Sequence, residues 1–129
     1  MIVDTSALVA LLLGEDSAEE IWAVTDGQRL SISAPTMVEL GCVIEQRLGP
    51  AGRMKVQRIL DLLDVEIVPF TAEHADLARQ ALRDFGRLSE SPARLNLGDS
   101  FSYALAAHAA EPLLFVGDDF THTDLTPAL

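Results

Sequence analysis

The chain has 129 residues, 49% of them hydrophobic, so we expect a single domain over residues 1–129 that folds without crosslinks. Its one cysteine, Cys42, excludes an internal disulfide and a cysteine-based zinc site, and is expected to be a small buried residue of a helix. The net charge of −11 argues against broad nucleic-acid binding, because phosphate contacts need lysine and arginine.

In chain order the predicted elements are a strand at 1–4, helices at 5–13 and about 17–25, a strand at 30–33, helices at 35–48 and 51–63, a strand at 65–68, a helix at 72–85, a loop at 87–97, a helix at 98–110 and a strand at 113–116. Gly14 marks one helix end, Pro35 suits a first helical turn, and Thr71 is a capping residue. The apolar face expected for the helix at 51–63 consists of Met54, Ile59, Leu60, Leu62 and Leu63.

Short strands separated by helices predict an α/β fold with three layers, in which a short central parallel sheet is flanked by helices. The crossovers between parallel strands should be right-handed. In such sheets, ligands bind beyond the carboxyl ends of the strands. Functional side chains are therefore expected just after the strands.

The first residues, MIVDTSALVALLLG, are apolar enough to compare with a signal peptide. They contain no basic segment, and Asp4 interrupts the apolar run near its beginning. The run is also far shorter than the roughly 20 residues that span a bilayer. We therefore predict a cytoplasmic protein that does not associate with membranes.

Four carboxylates lie in four separate segments that this fold can bring together. Asp4 ends the first strand, Asp118 follows the last one, Glu39 lies about one turn into a helix, and Asp99 opens another helix. Such a cluster repels itself unless a cation bridges it, and hard cations choose oxygen ligands. Each acid also has a simpler interpretation: Asp4 and Asp99 as helix caps or first-turn residues, Glu39 as a surface residue, and Asp118 as an ordinary loop acid.

Four segments, MIVDTSALV, PTMVELGCVIE, LNLGDSFSYALA and PLLFVGDDFTHTDL, carry a resemblance that spans nearly the whole chain. In order and spacing they resemble the PIN-domain toxins of the VapC type. The resemblance implies a PIN fold and an endoribonuclease that depends on Mg²⁺ or Mn²⁺. It also implies that the chain is the toxin of a type II toxin–antitoxin pair, acts on RNA, is neutralised by a cognate VapB-type antitoxin and forms a homodimer.

The same resemblance assigns Asp4, Glu39 and Asp99 to the metal site. The fourth acid is ambiguous because Asp118 and Asp119 are adjacent; Asp118 is favoured because it comes first after the strand. In this hypothesis Asp4 and Asp99 are the principal ligands. Glu39 and Asp118 complete the site, either through water or by orienting the nucleophile.

Other residues have weaker functional signals. His74 and His108 are expected at surface or boundary positions of helices, and Trp22 in the core or in a groove for a partner. Three arginines flank the polar loop before Asp99, where a solvated surface is the first expectation and RNA contact the alternative: Arg83, Arg87 and Arg94.

Three other classes of protein share part of this pattern. A phosphatase of the haloacid-dehalogenase type also begins with a strand ending in Asp, but it needs a second Asp where this chain has Ser6, and the only lysine here is Lys55. A non-catalytic domain of the same fold is disfavoured because all four acidic positions are filled. A nuclease of the same fold that acts on DNA differs only in its substrate.

Overall fold

The computed structural model describes all residues, 1–129, as a four-stranded sheet with six helices. The elements are β1 Ile2–Val3, α1 Thr5–Leu13, α2 Ala18–Thr25, β2 Ser31–Ser33, α3 Ala34–Leu48, α4 Ala51–Leu62, β3 Glu66–Val68, α5 Ala72–Phe85, α6 Leu97–Ala109 and β4 Leu113–Leu114. The predicted order of elements is confirmed, and the strands are shorter than predicted. None of the six helices is both long and apolar enough to cross a membrane.

The sheet is parallel throughout, in the order β3-β2-β1-β4. The chain moves from β1 to β2 and β3 on one side and then crosses to place β4 on the other side of β1. The strand order therefore reverses at β1, which is where α/β sheets of this kind bind ligands, beyond the carboxyl ends of the strands. The predicted α/β fold with a central parallel sheet is confirmed.

Local sequence explains where the helices begin and end. Asp4 caps α1 by accepting a hydrogen bond from Ser6 N–H, and Gly14 ends it in the left-handed conformation with φ 65°. Thr71 caps α5 as predicted, in a reciprocal pair with His74. These caps satisfy backbone groups that the helices cannot pair internally.

Three side chains predicted to be buried are exposed. Met54 and Leu62 of α4 are 77% and 70% exposed, and Cys42 of α3 is exposed as well. Each lies two residues from a side chain that the same helix buries. Two residues correspond to about 200° around an α-helix, so the exposed side chain lies on the opposite face. The core face of α4 consists of Val56, Ile59 and Leu60, and that of α3 of Thr36, Leu40 and Ile44.

The surface or boundary position expected for His74 is wrong, because its side chain is 2% exposed. Its Nδ1 accepts a hydrogen bond from Thr71 N–H at 3.2 Å, and its Nε2 has no hydrogen-bond partner. The ring packs edge to face against His108, with centroids 4.7 Å apart. Burial first and the neighbouring His108 second lower the pKa of His74, while Glu73 and the Pro69 carbonyl act in the opposite direction.

This burial predicts a loss of stability in acid. Because the pKa of His74 is lower in the folded chain than the ordinary value of about 6.5, stability is intact above that pH and falls as the pH drops below it. In His74→Gln, an amide can still accept at this capping position but cannot titrate. Thermal melts at pH 7.5 and pH 5.5 should therefore show a smaller difference for His74→Gln than for the wild type. The exposed His122→Gln is the matched control, and equal pH dependence in His74→Gln and the wild type would contradict the prediction.

Candidate active site

Asp4 follows β1 at the reversal of strand order and is 5% exposed. Its Oδ2 accepts hydrogen bonds from Ser6 N–H at 2.9 Å and from Ser6 Oγ–H at 2.7 Å. Its Oδ1 accepts from Ser102 Oγ–H at 2.7 Å. Asp4 is thus both the helix cap of the simpler interpretation and a buried carboxylate at the expected edge of the sheet. Hydrogen bonds to both oxygens fix its orientation.

Two serines connect Asp4 to the rest of the site. The Ser6 hydroxyl accepts a hydrogen bond from Val116 N–H at 3.0 Å, which joins the start of α1 to the segment after β4. The Ser102 hydroxyl on α6 is fully buried and lies 3.3 Å from Thr36 Oγ1 on α3. The segments that carry the other acids are therefore tied to Asp4 by hydrogen bonds.

Asp99 is the third residue of α6, and Asn96 is the capping residue. Asn96 N–H donates to Asp99 Oδ2 at 2.7 Å, and Asp99 N–H donates to Asn96 Oδ1 at 3.0 Å. Burial raises the pKa of Asp99 to about 7, opposed by the Asn96 hydrogen bond and reinforced by the negative charges of Asp4, Asp119 and Glu39. Asp99 is therefore only about half ionised at pH 7, and the charges of three other carboxylates disfavour its ionised form.

Glu39 lies on α3 and is held by Thr5, whose hydroxyl donates to Glu39 Oε2 at 3.0 Å. Burial raises the pKa of Glu39, the Thr5 hydrogen bond lowers it, and the charge of Asp4 raises it further. The carboxylate lies against Gly98 of α6, where a Cβ would be 2.5 Å from Glu39 Oε1. Gly98 is therefore needed for the close approach of α6 to Glu39.

Electrostatic effects on Asp99 distinguish the two candidates for the fourth acid, Asp118 and Asp119. Asp118 and Asp119 are both exposed in the loop after β4. Asp119 is among the charges that raise the pKa of Asp99, and Asp118 is not. The backbone carbonyl of Asp118 accepts a hydrogen bond from Thr121 N–H at 3.1 Å, which closes the turn of this loop. This pattern favours Asp119 over the predicted Asp118 as the acid that shares the site.

Three of the predicted carboxylates, Asp4, Glu39 and Asp99, share one electrostatic neighbourhood with Asp119, but no three acidic or imidazole side chains are already arranged as a ligand set. Like charges in the cluster repel each other, and the oxygens of Asp4 are engaged by serines. Sequence reasoning missed Asn96, Gly98, Ser102 and Thr36. The spacing of Asn96 and Asp99 is a recognisable capping signature, whereas nothing local distinguishes Ser102.

Gly98→Ala should separate activity from stability. The new Cβ would displace the end of a flexible side chain, so the fold should tolerate it while the Glu39 carboxylate moves out of place. We expect the activity of the site to fall about tenfold, within the range for groups that orient the ligands of a metal site, with little change in the thermal melt. Gly41→Ala on α3 is the matched control because a Cβ there meets nothing within 4 Å. Equal activity of the two variants would contradict this role for Gly98.

Comparison with known proteins agrees with this architecture. Residues 1–125 match the PIN domain family. The chain is 49% identical over 129 residues to VapC ribonuclease Mb2780c of Mycobacterium bovis and to ribonuclease VapC42 of Mycobacterium tuberculosis, covering 99% of this chain and 98% of each relative. The chain therefore belongs to the VapC ribonucleases of the PIN domain family.

Solved structures share the fold at low sequence identity. The sarcin-ricin loop cleaving toxin VapC20 of Mycobacterium tuberculosis superposes with a TM-score of 0.75 at 18% identity, covering 97% of this chain and 95% of that one. VapBC2 of Rickettsia felis, bound to a DNA fragment from its promoter, gives a TM-score of 0.73 at 16% identity, covering 98% and 95%. The predicted PIN fold is thus confirmed by these structures, and the family resemblance by the 49% identical relatives.

Proposed function

We propose that this ribonuclease is a toxin whose site consists of Asp4, Glu39, Asp99 and one acid of the Asp118–Asp119 pair, and that it depends on Mg²⁺ or Mn²⁺. One observation carries the proposal: the buried Asp99 has its pKa raised to about 7, in part by three other carboxylates. Buried carboxylates with raised pKa values and like-charged neighbours are characteristic of functional sites, and a bound divalent cation removes the repulsion among them.

The donor set fits a hard cation. All four candidate ligands are carboxylates, and the hydroxyls of Thr5, Ser6 and Ser102 hold two of them in place. Ligand sets made only of oxygens suit Mg²⁺ and Mn²⁺, whereas zinc and copper sites usually include imidazole or thiolate. A bound ion of this kind lowers the pKa of a coordinated water and stabilises charge on the phosphate.

The chain's own residues prepare this site. The Ser6 and Ser102 hydroxyls fix the orientation of the Asp4 carboxylate, because they donate to both of its oxygens. Asn96 fixes one oxygen of Asp99 and leaves the other for a ligand. The pKa of Glu39 is raised by burial, which makes it the candidate to accept a proton from the attacking water.

Cleavage assays on purified protein test the proposal. We expect single-stranded RNA to be cut internally with Mg²⁺ or Mn²⁺ and to remain intact with EDTA, while single-stranded DNA of the same sequence is not cut. Cutting of DNA alone would support the alternative of a DNA-directed nuclease. No cleavage with either ion would support a non-catalytic domain. Sequencing of RNA ends after brief expression would then locate the target.

The partner we propose is a VapB-type antitoxin, since VapBC2 and a toxin-antitoxin complex from Klebsiella pneumoniae share the fold. The proposed docking surface for the antitoxin lies on α1, α2 and α4, where apolar side chains are exposed. Trp22 is 39% exposed beside Leu62 in a groove of ≈ 530 Å³, and Leu11 and Leu12 line an adjoining groove with Lys55 and Arg58. Growth arrest on expression of the chain alone, relieved by co-expression of the antitoxin, is the expected result.

A homodimer is the proposed assembly. Val38 on α3 is 67% exposed next to Glu39, and Leu97 on α6 is 64% exposed two residues before Asp99. These large apolar side chains beside the acids gain from being covered by a second copy. Light scattering should give the mass of two chains, and a monomer at every concentration would contradict this assembly.

A further inference from the structure

Most of the nine basic residues of the chain form ion pairs or lie away from the acidic site. Arg29 lies at the amino edge of the sheet, and Arg47 is two turns beyond Glu39 on α3. Two arginines form ion pairs, Arg53 with Glu45 and Arg79 with Asp76. The groove beside Leu11 and Leu12 is lined by Lys55 and Arg58. This leaves Arg83, Arg87 and Arg94, all exposed and without ion pairs.

These three arginines lie at the end of α5 and on the loop that connects it to α6. We call residues 87–96 the arginine loop. Its ends are closed by a bridge between Gly86 and Leu95, where Leu95 N–H donates to the Phe85 carbonyl at 2.8 Å. Ala93 and Leu95 anchor the loop in the core at 3% and 1% exposure. The loop is therefore an ordered part of the fold that presents its arginines to solvent.

The arginine loop leads directly into the acidic site. Arg94 is two residues before Asn96, whose N–H donates to Asp99 Oδ2. Two residues of chain span at most about 7 Å, so the Arg94 backbone is close to the Asp99 cap. Arg94 also has a left-handed backbone with φ 56°, a conformation that Asp64 and Ala110 adopt at turns elsewhere in the chain.

We propose that the arginine loop holds the phosphates of the RNA strand beside the acidic site, with Arg87 and Arg94 as the phosphate contacts. This rests on the proposed function, because it assigns a surface to the same substrate. A net charge of −11 and a cluster of carboxylates repel an RNA strand, so productive binding needs cations next to the site. Guanidinium groups suit this role because each can bond a phosphate through two parallel N–H groups.

The test compares Arg87→Gln/Arg94→Gln with Arg29→Gln, which removes an arginine from the opposite edge of the sheet. Cleavage of a labelled single-stranded RNA is measured at several salt concentrations. For the double variant we expect KM to rise about tenfold with kcat unchanged, and the slope of log(kcat/KM) against log salt to shrink by about 1.4, or about 0.7 for each lost phosphate contact. Arg29→Gln should keep the wild-type values.

Binding of the same RNA by fluorescence anisotropy, without cleavage, keeps the two proposals distinguishable. A wild type that binds RNA more tightly than the double variant but never cleaves it would support the arginine loop and sink the proposed activity. A wild type that cleaves RNA, with KM, affinity and salt slope unchanged in the double variant, would overturn the role of the arginine loop alone. An equal loss in Arg29→Gln would also overturn it, since the effect would then be one of overall charge.

Discussion

Asp4→Asn and Asp99→Asn are each expected to lower metal-dependent RNA cleavage by at least about 100-fold, because even groups outside the ligand set of a metal site cost 10–100-fold when they are lost. Both substitutions keep the size of the side chain and remove one negative charge. Asp16→Asn, on the exposed turn between α1 and α2, is the matched control for that change of charge. Full cleavage by either variant would remove its residue from the proposed site.

The same Asp99→Asn variant should be more stable than the wild type when metal is chelated. The pKa of Asp99 is about 7 in the folded chain, well above the ordinary value, so ionising it costs folding free energy. The cost is absent near pH 4, grows as the pH rises, and is complete above about pH 7. We expect a gain on the order of 1 kcal/mol at pH 8 that disappears near pH 4. Thermal melts in EDTA measure it.

A drop in the stability of Asp99→Asn at pH 8 would contradict the electrostatic part of this argument. The Asn96 cap is not the cause of any difference, because an asparagine at position 99 still has a carbonyl oxygen for Asn96 N–H. For Asp4→Asn, the Ser102 hydroxyl can turn to accept from the new amide, so stability should hold. Loss of cleavage in a folded protein is the result that separates a site residue from a structural one.

The helices could be predicted because their ends carry local signals. Gly14 adopts the left-handed conformation that its position after an apolar run suggests, and Thr71 caps α5 from its own neighbours. Asp4 could be placed because a parallel sheet brings the ends of its strands to one edge, whereas Glu39 and Asp99 lie on helices and were assigned to the site by the family resemblance. Asp4 directly follows β1, and its charge acts on Asp99 in the structure. That the two acids lie near each other could be expected without knowing any side-chain contact.

The side chains that hold the acids in place, such as Ser102, could not be predicted because they are far in sequence from the acids that they hold. Ser102 is 98 residues from the Asp4 oxygen to which it donates. Cys42 was expected to be buried because it is apolar, but α3 has apolar residues around most of its circumference, so the pattern did not define one core face. His74 was missed for a related reason: its burial follows from packing against His108 on α6.

Asp119→Ala is expected to weaken binding of the divalent ion and lower RNA cleavage by 10–100-fold, about the cost of losing a group that tunes a metal site. Asp118→Ala should change both much less. The order of residues along the chain favours Asp118, but proximity in sequence to β4 does not decide which carboxylate faces Asp99. The charge of Asp119 is among the causes that raise the pKa of Asp99, which favours Asp119 as the acid that shares the site.

The two variants are matched controls for each other, since both residues are exposed, adjacent and of the same charge. Titration with Mn²⁺ and cleavage at a fixed ion concentration are measured on both. Asp119→Ala should also lower the pKa of Asp99, so the pH-dependent loss of stability in EDTA should become smaller in that variant alone. If Asp118→Ala loses ion binding and Asp119→Ala keeps it, the fourth acid is Asp118, and the charge of Asp119 acts on Asp99 without serving the ion.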